Sequence, residues 1–105
     1  MPEPLSYTAA LILQALHLGH RYGFEIMRIT ELPSGTVYPA LRRLEGAGLV
    51  GSAWEEEDRA HADARPARRY YQLCPAGAVA LEKARERVLE RSRLFAEAPA
   101  AEAGG

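Results

Sequence analysis

One stretch, from Leu32 through Pro33, Ser34, Gly35, Thr36, Val37, Tyr38, Pro39, Ala40, Leu41, Arg42, Arg43, Leu44, Glu45, Gly46, Ala47 and Gly48 to Val50, limits the possible folds most strongly. At helical pitch Val37, Ala40, Leu41 and Leu44 fall on one side. Gly35, Pro39, Arg42, Arg43 and Gly46 lie roughly opposite, with Thr36 and Tyr38 on the flanks. The pattern predicts a short helix with one face to the protein and another to a partner. Ser34 is the expected N-cap, able to accept from backbone N–H groups. Gly46 and Gly48 supply the stop signal. Pro39 works against the helix, because it lacks a backbone donor and restricts Tyr38. Near the helix start that cost is smaller than in the middle.

The chain has 105 residues, enough for one domain. A domain this small leaves much of its surface exposed, so a dimer interface would add stability. Lys and Arg number 13 against 14 Asp and Glu, a net charge of −1. That balance does not mark a nucleic-acid binder, so any such reading must rest on local clusters. Every cation except Lys83 is Arg, which suits bidentate recognition of phosphate and guanine. A lone Cys74 excludes an internal disulfide framework. No window is apolar for long enough to span a bilayer, and no basic signal region opens the chain. The expectation is a cytoplasmic protein that does not engage a membrane.

Along the chain, residues 4 to 18 predict a first helix opened by Pro4 or capped by Ser6. It is apolar almost all round, which requires burial on more than one side. Either one side meets a second subunit, with Leu5, Ile12 and Leu16 as candidates, or the helix is the centre of a monomer core. Gly19 to Gly23 reads as a turn and Phe24 to Thr30 as a second short helix. Leu49 to Glu55 and Arg65 to Leu73 read as two strands, with Tyr71 and Leu73 the expected core pair on the second. Between them 56–64 is polar and acidic. Pro75 begins a last helix whose stripe of Val79, Leu81, Ala84, Val88, Ser92 and Phe95 runs to about Ala96. Within it Leu81, Val88 and Phe95 are spaced by sevens, which suits packing against another long helix. That partner is the first helix of the same chain, a second copy, or both. The tail over 98–105 has a composition of disorder.

The segment from Ser34 to Glu45, followed by Gly48, Leu49 and Val50, resembles the recognition-helix segment of the PadR family of bacterial transcriptional regulators. Its internal proline belongs to that pattern. Arg65-Pro66-Ala67-Arg68-Arg69-Tyr70-Tyr71-Gln72-Leu73 resembles the family's second strand, with Ala64 where Gly is usual. Other departures are Tyr22 for His, Phe24 for Tyr, Cys74 for a capping Thr, and Glu31 where Gly is usual. If position 31 needs a positive φ, Glu31 is strained. The resemblance covers about Leu11 to Leu81. It implies a mainly α fold with a small β wing, a winged helix-turn-helix of order α-α-α-β-β-α. The DNA-binding domain would span 4–74 and a C-terminal dimerisation helix 75–97, the family's short form. It implies a homodimer on double-stranded DNA, acting as a repressor, with release by a small apolar or aromatic effector as an open question.

Two basic clusters would then face one duplex. Arg42 and Arg43 project from the central helix, and Arg65, Arg68 and Arg69 sit at the wing base. Ser34 and Gly35 lie at a helix N-terminus that favours an anion, and Thr36 and Tyr38 can reach phosphate or a thymine methyl. The plainer alternatives are that Arg42 and Arg43 pair with Glu45 on a solvated face, and that Tyr38 packs under the wing. Glu55, Glu56, Glu57, Asp58 and Asp63 outnumber Arg59 at the tip and should turn it from phosphate. Trp54 is expected to be structural, with an effector pocket the alternative. No His or Cys spacing suits zinc, no Gly-rich loop suits a nucleotide, and no catalytic constellation is present, so neither an enzyme nor a cofactor is expected. His17 reads as an interior or interface residue, and Cys74 as a small filler or, less simply, a redox thiol. A different class remains open, a winged helix that binds another protein and no operator, favoured by the −1 charge.

Overall fold

The computed structural model describes residues 4–56, 62 and 64–100. Most of the expected wing tip, with His61, and the tail beyond 100 lie outside them. The first helix, α1, spans Tyr7–His17 and is opened by Ser6, whose hydroxyl accepts from the Ala9 N–H at 3.1 Å. Pro4 therefore lies ahead of the helix. The second, α2, spans Gly23–Thr30. The Glu25 carboxylate reaches back to accept from the N–H groups of Arg21 and Tyr22, each at 3.2 Å. This satisfies two donors that an opening turn leaves unpaired. The α2 helix ends at Glu31, which takes the left-handed conformation with φ 59°. The expected strain is present, in a residue whose Cβ disfavours that region.

The third helix, α3, spans Ser34–Gly46. Its N-cap is Pro33, and Ser34 is already inside the helix and makes no capping bond. This corrects the expectation for Ser34, because the Leu32-Pro33 pair itself sets the extended entry. Pro39 stays in the helix. The carbonyl its ring crowds belongs to Gly35, four residues back, which is exposed and has no side chain to constrain it. Then come β1, Val50–Trp54, and β2, Arg69–Leu73, antiparallel with Val50 opposite Leu73, Ser52 opposite Tyr71 and Trp54 opposite Arg69. The second strand begins later than the sequence pattern suggests, since Pro66 cannot donate to a ladder. An isolated bridge joins Tyr22 to Tyr70 on its other edge.

The last helix, α4, spans Pro75–Ser92, and a 3-10 turn follows over Arg93–Ala96. Cys74 caps α4 without a side-chain bond. Its first turn comes so close to the α3–β1 link that a Cβ on Gly77 would run into the Leu49 carbonyl. Glycine is required there by proximity.

Each element contributes one apolar stripe to a single core. Ile12, Leu13, Ile26, Val37, Leu41 and Val50 are wholly buried, with Leu16, Leu44, Tyr71 and Leu81 around them. Burial of such side chains stabilises by ~1.5–3 kcal/mol each. The face of β1 that packs inward is that of Val50. Tyr71 and Leu73 do lie against the core, as expected. Ile12, Leu16 and Leu81 are core residues of this chain, and Leu81 also lines a groove between α1 and α4. Beyond Ala84 no residue of α4 is buried, and Phe95 is 94% exposed. The molecule is accordingly elongated, 68 × 32 × 22 Å. No described helix is long and apolar enough to cross a membrane. His17 lies exposed at the end of α1, which corrects its expected interior position.

Candidate nucleic-acid interface

The buried stripe of α3 fixes which residues it shows outward. With Val37, Ala40, Leu41 and Leu44 in the core, Arg42 and Arg43 are exposed on the opposite face, and neither guanidinium donates to a described residue. Ser34 and Gly35 are exposed at the N-terminus, and Thr36 is half-buried beside them. Tyr38 is 41% exposed. Its ring lies on Gly23, where any Cβ would collide with it. Both readings of Tyr38 thus meet in one side chain: it packs against the start of α2 and keeps an accessible edge.

The wing base is built differently. Glu55, just past β1, is buried, and Arg65 binds it with both nitrogens, Nη1 to Oε1 at 2.7 Å and Nη2 to Oε2 at 2.8 Å. The Arg68 N–H donates to Oε1 at 3.1 Å, and the Glu55 N–H donates to the Arg68 carbonyl at 2.8 Å. The Arg65 hydrogen bond holds the Glu55 carboxyl below its ordinary value, against burial, which acts the other way. Glu55 is therefore a structural clamp, not one of the solvent-facing tip charges.

Arg69 is held as well. Its Nε and Nη2 donate to Ser52 Oγ at 3.1 and 2.7 Å, and Nη2 reaches Glu45 at 3.2 Å. The Ser52 hydroxyl donates to the same carboxylate at 2.7 Å. The guanidinium also lies over the rings of Trp54 and Tyr71, 5.8 and 5.9 Å from their centroids. Burial pushes the Tyr71 hydroxyl above its ordinary value. Arg68 points the other way, over Phe24 at 4.9 Å and Tyr22 at 5.9 Å, two rings stacked on each other. Its side chain remains exposed. The five arginines expected at the interface thus divide: among the described residues the guanidinium groups of Arg42, Arg43 and Arg68 form no ion pair, while Arg65 and Arg69 are drawn into ion pairs.

A helix pair joined by a tight turn, with a two-stranded wing beside its second helix, is the architecture expected of the resemblance. The model of the transcriptional regulator PadR-like family matches residues 12–83. The chain belongs to that family. No curated protein matches it significantly. Among solved structures, a PadR family transcription regulator from Clostridium difficile is 27% identical with a TM-score of 0.71, covering 88% of this chain and 100% of that one. A transcriptional regulator from Clostridium thermocellum is 28% identical with a TM-score of 0.67, covering 85% and 86%. A PadR-like transcription factor from Bacteroides fragilis is 25% identical with a TM-score of 0.65, covering 83% and 84%.

Within this PadR-like chain, sequence reading missed the residues that answer the arginines. Glu45 was expected to pair, if at all, with its neighbours Arg42 and Arg43, yet it pairs with Arg69, 24 positions away. Glu55 was grouped with the acidic tip. Ser52 carried no signal. Among the described residues no group of His, Cys, Asp and Glu is arranged to hold a metal ion.

Proposed function

We propose that this PadR-like regulator binds double-stranded DNA sequence-specifically as a homodimer in the cytoplasm, and acts as a repressor on a palindromic operator. The observation that carries the DNA reading is the outer face of α3. Arg42 and Arg43 stand exposed, with no ion pair among the described residues, between the exposed N-terminus at Ser34 and Gly35 and the wing base with Arg68. An α-helix of this kind fits the major groove, and the wing lies over the adjoining backbone. Ser34, Gly35, Thr36, Tyr38, Arg42, Arg43 and Arg68 form the contact set. Arg65 supports it from behind.

The dimer reading rests on the face shared by α1 and α4. Tyr7 and Leu89 are 64% and 62% exposed there, and Leu94 and Phe95 continue the apolar surface. The Gln14 Oε1 in the same groove is buried without a hydrogen-bond partner. A second copy seated there would cover the apolar side chains. Leu5 and Val88, both half-buried, would sit at its margin. The same groove would admit a small apolar or aromatic effector. Two related recognition helices would touch half-sites one duplex turn apart, ~34–36 Å.

Fluorescence anisotropy with the gene's own upstream DNA against a scrambled duplex, at two salt concentrations, tests the reading. Binding that prefers the natural duplex and weakens steeply with salt is the expected result. Equal, weak binding to both at low salt, with no operator recovered by selection from random duplexes, refutes it.

A further inference from the structure

Glu45 lies on α3 beside the residues assigned to DNA, and its negative charge would repel phosphate. Its position is nonetheless built with care. Ser52 donates to both carboxylate oxygens, at 2.7 and 2.9 Å, and Arg69 approaches both, at 3.2 and 3.3 Å. Ser52 stands on β1 opposite Tyr71 and Arg69 on β2 opposite Trp54, two residues apart in register on the same face of the wing. Three elements therefore meet at one carboxylate: the recognition helix and both strands. The rings of Trp54 and Tyr71 bracket the same guanidinium. Arg69 is a cation at the base of a wing, the place from which a phosphate is reached, but its guanidinium is turned onto a carboxylate of the protein itself.

We infer that Glu45 is a positioning and specificity residue, which makes Arg69 a brace between wing and recognition helix instead of a phosphate contact. The inference rests on the DNA reading above. Two consequences follow from elementary electrostatics. The brace removes one mobile cation from the protein's attraction to any duplex, which lowers sequence-independent binding. It also fixes the wing against α3 before DNA arrives, so less ordering is lost when a matching site is bound. Both effects raise the ratio of specific to non-specific affinity, and neither requires Glu45 to touch a base. Replacing the carboxylate by an amide keeps an acceptor for the Ser52 hydroxyl but removes the charge that holds the guanidinium, and so frees Arg69 to swing toward solvent. The position tolerates such a change, because the Glu45 side chain is 33% exposed and outside the core.

The test uses the full chain and four forms: wild type, Glu45→Gln, Arg69→Gln and the double variant. Anisotropy is read on an operator duplex and a scrambled duplex across a salt series. Glu45→Gln is expected to tighten scrambled-DNA binding several-fold and to steepen its log–log salt slope by about one, the effect of one added phosphate contact. Operator affinity should not gain equally, so the specificity ratio falls. Arg69→Gln alone should leave the slope unchanged, and the double variant should return it to the wild-type value. The inference is overturned if Glu45→Gln changes neither slope nor ratio, or if Arg69→Gln alone flattens the slope, since Arg69 would then already contact phosphate. Trp54 is the sole tryptophan, and its emission reports the stacked guanidinium without any DNA. A shift in Trp54 emission on Glu45→Gln, in a protein that binds no duplex, would sink the DNA reading and keep the brace. Unchanged emission together with an unchanged slope in a protein that does bind would sink the brace alone.

Discussion

The outer face of α3 and the base of the wing both carry clustered arginines, and the fold treats them in opposite ways. Arg42 and Arg43 stand exposed with no acidic partner among the described residues, whereas Arg65 is clamped by Glu55 and Arg69 by Glu45. Arg68 lies between the two cases: its guanidinium is stacked on rings and its backbone N–H donates to the Glu55 carboxylate. The difference does not come from local composition. Each buried or half-buried acid is brought to its arginine by strand pairing, and the acid's position in three dimensions decides which cation is structural. A basic cluster counted along the chain overstates the charge that reaches a ligand.

The strongest way to break this contrast is to remove the free cations. The double variant Arg42→Ala with Arg43→Ala should weaken operator binding by ~1–3 kcal/mol for each arginine that reads a base, with a flatter salt slope. The thermal midpoint should stay where it is. A drop in that midpoint would show that these two residues hold the fold and that the contrast is false.

The clamped cations should behave the other way. Arg65→Ala leaves the buried Glu55 carboxylate without its bidentate donor, so the thermal midpoint should fall by roughly 4–8 °C. DNA binding at low temperature should change little. An unchanged midpoint in differential scanning calorimetry would move Arg65 back among the residues available to a duplex.

Acid sharpens the same point. The folded carboxyl of Glu55 titrates below its ordinary value. Its pairing therefore stabilises the protein fully above the ordinary carboxylate range, and the contribution is lost as pH falls through the folded value. Melts across the acid range should show this loss in the wild type. In Glu55→Gln that part of the pH dependence should be absent, and a parallel curve would contradict the assignment.

The smallest expected effect is a control outside both regions. Glu31→Gly relieves a left-handed residue at the end of α2 and should raise stability by ~1 kcal/mol, measured by urea unfolding, with DNA affinity unaltered. A loss of stability would mean that Glu31 is held there by something other than the turn.

Much of this was legible in the residues themselves. The stripe of Val37, Ala40, Leu41 and Leu44 located α3 despite Pro39, and the odd residue at position 31 announced its positive φ. The wing could be placed by its strand pattern. Two kinds of information were not local. One was depth: Ile12 and Leu16 look equally suited to a core or to a second subunit, and only the arrival of α2, α3 and α4 on the same face decides between them. The other was pairing over distance. Nothing near Glu45 points to a partner 24 residues on, because that contact exists only when β2 returns beside β1. Similarly, Ser34 had the chemistry of a cap, but the proline before it had already set the entry angle.

The contact between Gly23 and Tyr38 ties two helices through an empty space. The Tyr38 ring occupies the volume that a methyl group would fill at position 23. How deeply the recognition helix settles against its neighbour is thus governed by an atom that is missing. Any larger residue at 23 would have to push aside the far end of the Tyr38 side chain. A chain like this one can change the edge that Tyr38 shows outward by substitution at a buried glycine on another helix.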